Sequence, residues 1–155
     1  MINESQYLNK VIQLAESMSI KLTPCTLEQI ERVNDFCRGS LPKAYLEFLQ
    51  TMGQGTSPGF LTGHSCFIDE LFDLRVWSEE LLEETKFDKP LPDDCLVFWM
   101  SQGYQFAFFK LNDGDDPPVY YYREYSGQND YKIISGSLSQ FLMDVLNRKR
   151  DLFSV

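Results

Sequence analysis

Residues 55–59 read Gly-Thr-Ser-Pro-Gly and match the G-x-S-x-G pattern of a nucleophile elbow, with Ser57 as the nucleophile. In such an elbow the backbone N–H of the residue after the serine stabilises the oxyanion. Here that residue is Pro58, which has no N–H. An elbow also follows a strand and precedes a helix, whereas this sequence predicts a helix first and a strand afterwards. We therefore interpret the segment as a turn.

His64 is the only histidine in the chain, so a catalytic triad or a histidine-based metal site would depend on it alone. It lies in a Gly-rich segment, and no acidic or nucleophilic residue stands at a motif spacing from it. We interpret His64 as an exposed loop histidine and predict that the chain has no catalytic residue.

The cysteines have the chemistry of zinc ligands, but none of them forms the closely spaced pair that zinc sites usually contain. They are Cys25, Cys37, Cys66 and Cys95. A zinc site built from all four is one alternative. The other, which the spacing favours, is that they are small buried apolar residues in a reducing compartment.

Residues 112–116, Asn-Asp-Gly-Asp-Asp, resemble the start of a calcium loop, which would need a glutamate at its twelfth position. Counted from the first residue that position is Arg123. Counted from the second it is Glu124, but two prolines and a run of tyrosines lie between. We interpret the segment as a hairpin turn. Since no Gly-rich phosphate-binding pattern occurs either, we expect no metal and no cofactor.

The chain has 155 residues and a net charge of −9, from 14 basic and 23 acidic residues. Its length predicts a single domain over residues 1–155. We expect no nucleic-acid partner for such an acidic chain, since binding the nucleic-acid backbone relies on Lys and Arg. A basic protein partner fits the charge, although the charge is also explained by solubility alone.

The first residues contain neither a basic segment nor an apolar core of the kind found in signal peptides. No run of 18 apolar residues occurs, so we expect no membrane-spanning segment. We expect a cytoplasmic protein.

Hydrophobic spacing and capping signatures predict helices in five places. The predicted helices cover residues 3–18, 27–37, 42–52, 78–85 and 138–150. Asn3 with Gln6, Thr26 with Gln29, and Ser137 with Gln140 resemble capping boxes. Two pairs of glutamates in the fourth helix, Glu79-Glu80 and Glu83-Glu84, indicate a solvated face.

Aromatic and β-branched runs predict an antiparallel meander of three strands, over residues 95–100, 105–111 and 119–124. Short strands are also predicted at residues 60–62 and 131–134. Residues 66–77 fit a strand followed by a helical turn, and residues 86–94 are predicted to be a loop.

Three separate segments together resemble the SUKH superfamily, the Smi/Knr-like proteins. The first segment is a helix that starts at Leu-Pro, carries spaced aromatic residues and ends in a Gly-bearing turn. The second is the opening of the last meander strand, and the third is the C-terminal helix. The matching residues are Leu41, Pro42, Tyr45, Phe48, Gly53, Gly55, Val119, Phe141 and Leu142. The family usually has an asparagine in the turn, where this chain has Met52 and Gln54 around Gly53. The resemblance covers residues 27–147.

The resemblance implies an α+β fold, in which helices pack against a curved antiparallel sheet, and it implies no shared catalytic residue. Bacterial members are immunity proteins that bind and neutralise a cognate toxin, often a nuclease. We therefore expect a non-enzymatic binding protein with a toxin domain as partner. The alternative is a general intracellular interaction or scaffold domain with another partner. An enzyme is the third hypothesis, and no residue pattern supports it.

Both faces of the predicted meander carry apolar or aromatic side chains, which a half-solvated sheet would not do. One explanation is that helices cover both faces. The other is that one face stays open for a partner, because exposed aromatic clusters mark binding surfaces. That face would carry Trp99, Tyr104, Tyr120 and Tyr122, with Asp113, Asp115 and Asp116 at its rim.

Overall fold

The computed structural model describes residues 6–61 and 63–148. Within them the chain forms six helices and two antiparallel sheets, of two and four strands. The helices are α1 (Asn9–Ser17), α2 (Leu27–Phe36), α3 (Lys43–Met52), α4 (Ile68–Leu71), α5 (Leu74–Glu84) and α6 (Leu138–Arg148). The strands are β1 (Leu22–Thr23), β2 (Gly55–Thr56), β3 (Cys95–Ser101), β4 (Gln105–Lys110), β5 (Val119–Arg123) and β6 (Lys132–Ser135). The predicted α+β class is confirmed.

The four-stranded sheet has the order β3-β4-β5-β6, and each strand pairs antiparallel with the next. The meander prediction is confirmed to within a residue or two at each strand end. The short strand predicted at residues 131–134 is β6. Every residue of β3 is buried, as are five of the six residues of β4, so the meander forms the centre of the core.

A β-bulge interrupts the pairing of β3 with β4 and decides which way Trp99 points. Val97 pairs with Phe108 and Trp99 with Ala107, so Phe98 is the extra residue. A bulge shifts the alternation of side chains by one position. Trp99 therefore shares a face with Ala107 and Tyr121, which pair directly with each other. The prediction that Trp99 shares a face with Tyr120 and Tyr122 is wrong, because regular alternation ends at Phe98.

Both faces of this sheet are covered. On one face, Tyr45 of α3 and Phe141 of α6 lie against Phe98, with ring centroids 6.3 and 5.4 Å away. On the other face, the end of α5 and the segment after it cover Tyr122. The hydroxyl of Thr85 lies 2.6 Å from the Tyr122 hydroxyl, and the Phe87 ring lies 4.7 Å from the Tyr122 ring. Of the two explanations for the apolar faces, coverage on both sides is correct.

The helix predictions are correct for α2, α3 and α6. The capping box of Thr26 and Gln29 is present in full, and the Ser137 hydroxyl accepts a hydrogen bond from the Gln140 N–H at 3.2 Å. Helix α5 begins at Leu74, earlier than the predicted 78, because Leu74 is fully buried and extends the apolar stripe by one turn. The helix predicted from residue 3 is α1, which begins only at Asn9; Gln6 of the proposed capping box lies before it, and Asn3 lies outside the described residues.

The Gly-rich segment after α3 differs from its prediction. Residues 60 and 61 form no strand, residue 62 is outside the described part, and the extended residues of this region are Gly55 and Thr56 of β2. These pair with β1, whose two residues are too few for a periodicity to be visible in the sequence. Residues 66–77, predicted as a strand followed by a helical turn, form no strand and hold α4 and the start of α5.

The turn that ends α3 needs glycine for space. Gly53 has a φ of −64°, which any residue can adopt. A Cβ at this position would collide with the Cys25 sulfur and would lie 2.9 Å from the Leu49 Cα. Gly53 therefore allows the turn to pack directly on α3 and on the chain before α2.

Candidate functional site

Three of the residues that carry the family resemblance, Tyr45, Phe48 and Phe141, meet in one aromatic cluster in the core. Tyr45 and Phe48 of α3 stack at 5.5 Å, and the Tyr45 ring lies 5.2 Å from Phe109 of β4. Phe141 of α6 reaches the same cluster through Phe98. All of these side chains are at most 3% exposed. These motif residues of α3 and α6 thus pack the two helices against the sheet.

Two residues of the predicted partner surface are inaccessible. Trp99 is 1% exposed and packs against Phe141 and His64, and Tyr122 is 4% exposed beneath Phe87. The expectation that these two residues lie on an open face is wrong. The bulge turns Trp99 toward α6, and the segment after α5 covers Tyr122.

The other two aromatic residues of that surface are half-buried. Tyr104 lies in the turn between β3 and β4, where its carbonyl accepts a hydrogen bond from the Glu124 N–H at 3.0 Å. Tyr120 stacks on Phe108 at 5.2 Å, and the Lys110 ammonium lies 5.0 Å from its ring centroid. Their role in partner binding remains a prediction.

The acidic turn at residues 113–116 mainly contacts helices. Both Asp116 carboxylate oxygens accept hydrogen bonds from Ser139 in the first turn of α6, from its N–H at 2.9 Å and its hydroxyl at 2.6 Å. The Asp115 carbonyl accepts from the Ala44 N–H of α3, and its carboxylate from the Tyr7 hydroxyl at 3.3 Å. Asp113 is exposed.

The predicted surface therefore divides into two separate places. Tyr104 precedes β4 and the acidic turn follows it, so six strand residues, roughly 20 Å, lie between them. The aspartates lie beside the N-terminal ends of α3 and α6. A single partner site made of all the predicted residues is not formed, because two are buried and the rest lie at opposite ends of a strand.

Ser57 and His64, the residues with nucleophile and base chemistry, have different partners. The Ser57 hydroxyl accepts a hydrogen bond from the Lys21 N–H at 2.8 Å. His64 Nδ1 lies 3.1 Å from the Ser101 hydroxyl, and its ring lies 4.8 Å from Trp99. His64 is half-buried, so the interpretation as an exposed loop histidine is wrong: its ring packs on the edge of the core.

The four thiols are free and buried. Burial raises the pKa of Cys25 and of Cys37 to about 11, and it raises that of Cys66 further. Burial also raises the pKa of Cys95 to about 11, although the nearby Arg75 guanidinium acts in the opposite direction. All four are therefore protonated at neutral pH, the form that is neither a nucleophile nor a metal ligand. Among the described residues, no group of three or more His, Cys, Asp or Glu is arranged to hold a metal ion.

A groove between α5 and the end of β3 exposes a residue that the sequence reasoning did not consider. We call it the α5 groove. Its volume is about 290 Å³, and it is lined by Ser65, Trp77, Glu80, Leu81, Glu84, Met100, Gln102 and Gly103. Trp77 is 36% exposed. It was not considered because the helix was predicted to start one residue later. An extra turn of helical pattern through Leu74 was the signal that could have placed it.

Two larger grooves include residues of the predicted surface. One, of about 630 Å³, runs between α1 and α6 and includes Asp116 in its wall. The other, of about 350 Å³, lies beside Tyr122 and the loop after β5. In both, the predicted residue is already hydrogen-bonded to another part of the chain. No helix in the described part of the chain is long and apolar enough to cross a membrane.

A meander covered on both faces, with α3 and α6 joined through the aromatic cluster, defines an α+β protein of the SUKH type. The model of the SMI1 / KNR4 family (SUKH-1) matches residues 24–144, most of the chain. The chain belongs to this family. A comparison with curated proteins found no significant match.

Proposed function

We propose that this protein is a non-enzymatic immunity protein, which binds a cognate toxin domain in the cytoplasm and neutralises it. The observation that carries the proposal is membership of the SUKH-1 family over residues 24–144. The net charge of −9 supports a basic partner, such as a nuclease whose active surface is built to hold phosphates.

The non-enzymatic part of the proposal rests on the surroundings of the reactive side chains. Ser57 is bonded to the backbone of Lys21, and the residue after it has no N–H to offer an oxyanion. His64 contacts Ser101 and Trp99. Neutralisation by binding needs neither residue as a nucleophile or a base.

The test is co-expression with each toxin domain encoded beside the gene. We expect the wild-type protein to restore growth and to copurify with one toxin domain in a stoichiometric complex. The association rate should fall as the salt concentration rises, because charge steering is screened. If the protein protects cells against none of the neighbouring toxins, the proposal loses its support. Copurification with a non-toxin protein instead would favour the scaffold alternative.

The His64→Ala variant separates binding from catalysis in the same assay. We expect it to protect cells as well as the wild type does, provided that its melting temperature shows a folded protein. A folded variant that binds the toxin but no longer protects would contradict the non-enzymatic proposal.

A further inference from the structure

The α5 groove has the dimensions of a contact for a few protein side chains. Its volume of about 290 Å³ lies just under the range of roughly 300–1,000 Å³ that is usual for small-molecule pockets. One wall is the outer stripe of α5, with Trp77, Glu80 and Glu84. The other wall is the end of β3 and the turn after it, with Met100 and Gly103. A rigid helix and a buried strand therefore hold the groove in shape.

Trp77 is the accessible tryptophan of this chain. It is 36% exposed, whereas the other tryptophan, Trp99, is 1% exposed. Val76, the preceding residue of α5, is 54% exposed, so this turn of the helix carries two exposed large apolar side chains. Tryptophan is enriched in the few interface residues that dominate binding, and its electron-rich face attracts Arg and Lys.

The carboxylates of the groove are available to a partner. Glu80 and Glu84 stand three and seven residues after Trp77, so all three lie on one stripe of the helix. Glu79, on the neighbouring stripe, pairs with Arg75 at 3.3 Å. Glu80 and Glu84 are exposed and make no ion pair with any described residue. An aromatic ring followed along the stripe by two carboxylates without an ion pair is complementary to an arginine- or lysine-bearing surface.

We propose that the toxin docks on the α5 groove and that a basic side chain of its surface packs on Trp77, beside the row of carboxylates formed by Glu80 and Glu84. This inference rests on the proposed function and names the surface that performs it. In a nuclease the complementary surface is the one that binds phosphates, so docking there would block access of the nucleic acid.

The experiment measures binding of the toxin domain encoded beside the gene to the full chain and to four variants. Trp77→Ala and the double variant Glu80→Lys/Glu84→Lys change the groove. Two control variants make the same kinds of substitution, removal of an apolar side chain and reversal of two charges, on α2. Leu27→Ala removes an 81% exposed apolar side chain, and Glu31→Lys/Asp35→Lys reverses two exposed acidic residues at the same spacing. Unchanged melting temperatures establish that each variant is folded.

We expect Trp77→Ala to weaken binding at least about tenfold and the charge reversal to weaken it further, mainly by slowing association. Both controls should stay within about threefold of the wild type, as is usual for changes outside an interface. In addition, Trp77 fluorescence should lose its accessibility to iodide in the complex.

The outcomes distinguish the surface from the function. If the wild type binds and both groove variants bind equally well, the docking surface is wrong and the immunity function stands. If the controls lose as much affinity as the groove variants, the toxin is attracted by the overall negative charge of the protein, and the proposed docking surface is again wrong. If the wild type binds no such toxin, the proposed function fails and this inference fails with it.

Discussion

Asp116 shows how one residue can suggest a surface in the sequence and hold two elements together in the fold. Its place in an Asp-rich turn suggested the rim of a binding face. In the structure its carboxylate accepts from the N–H and the hydroxyl of Ser139, at the first turn of α6. A carboxylate at a helix N-terminus satisfies free N–H groups and interacts favourably with the helix dipole. Asp116 therefore links the meander to α6.

We predict that Asp116→Ala lowers the free energy of unfolding by about 1–2 kcal/mol, because two hydrogen bonds from Ser139 to a charged acceptor are lost. Urea denaturation measures it. The matched control is Asp113→Ala, because Asp113 is exposed in the same turn. We expect the control to change stability by at most about 0.5 kcal/mol. Equal losses in both variants would contradict the capping role.

Trp99 makes a second point at the residue scale. Strict alternation along β3 predicts its face correctly only if the strand is regular. One extra residue, Phe98, lets both Phe98 and Trp99 reach Phe141 of α6, at 5.4 and 6.0 Å. A bulge is a feature of the pairing between two strands, so the sequence of one strand does not reveal it.

At the scale of elements, the start of α1 depends on a residue about forty positions away. Its N-cap residue, Leu8, has no side chain that can cap. The Glu47 carboxylate of α3 performs this role: one oxygen accepts from the N–H groups of Tyr7 and Leu8 at 2.9 and 3.0 Å, and the other from Gln6 at 3.0 Å. The α1 terminus is therefore positioned by tertiary contact with α3.

We predict that Glu47→Ala destabilises the protein by about 1–3 kcal/mol, because three backbone donors lose a charged acceptor. Hydrogen exchange should locate the effect, with faster exchange of the Tyr7 and Leu8 amides and little change in the meander. Glu31→Ala serves as the control, since Glu31 is exposed on α2. Protection of Tyr7 and Leu8 that is unchanged in Glu47→Ala would refute the cap.

For the molecule as a whole, the buried thiols make stability depend on pH. The pKa of Cys25, Cys37 and Cys95 is about 11 in the folded protein, because burial disfavours the thiolate. In the unfolded chain a cysteine has a pKa of roughly 8.5. At a pH between these two pKa values, the thiols of the unfolded chain have lost protons that the thiols of the folded chain keep. The free energy of unfolding therefore falls as the pH rises through this window.

We predict a lower free energy of unfolding at pH 10 than at pH 8, measured by urea denaturation under reducing conditions. Replacing one of the thiols, as in Cys37→Ala, should reduce this pH dependence even though the variant is less stable at both pH values. Stability that is equal or higher at pH 10 would show that the thiols ionise as readily in the folded protein as in the unfolded chain.

Local patterns in the sequence were enough to predict the meander with its strand ends and the helices that follow Thr26 and Ser137, whereas the α+β class was implied by the family resemblance. These features depend on neighbours within a few residues, through capping, turn residues and the alternation of apolar positions. The resemblance to the family rested on three short motifs in order, at Leu41–Gly55, at Val119 and at Phe141–Leu142, each of which depends on local spacing.

The candidate surface was decided by contacts between distant segments. The bulge turned Trp99 inward, the segment after α5 covered Tyr122, and Ser139 engaged Asp116. Leu74, by packing into the core, lengthened α5 and placed Trp77 beside Met100. Each of these depends on which elements meet across the core. Residue spacing indicates which face of an element is apolar, but it does not specify what will cover that face.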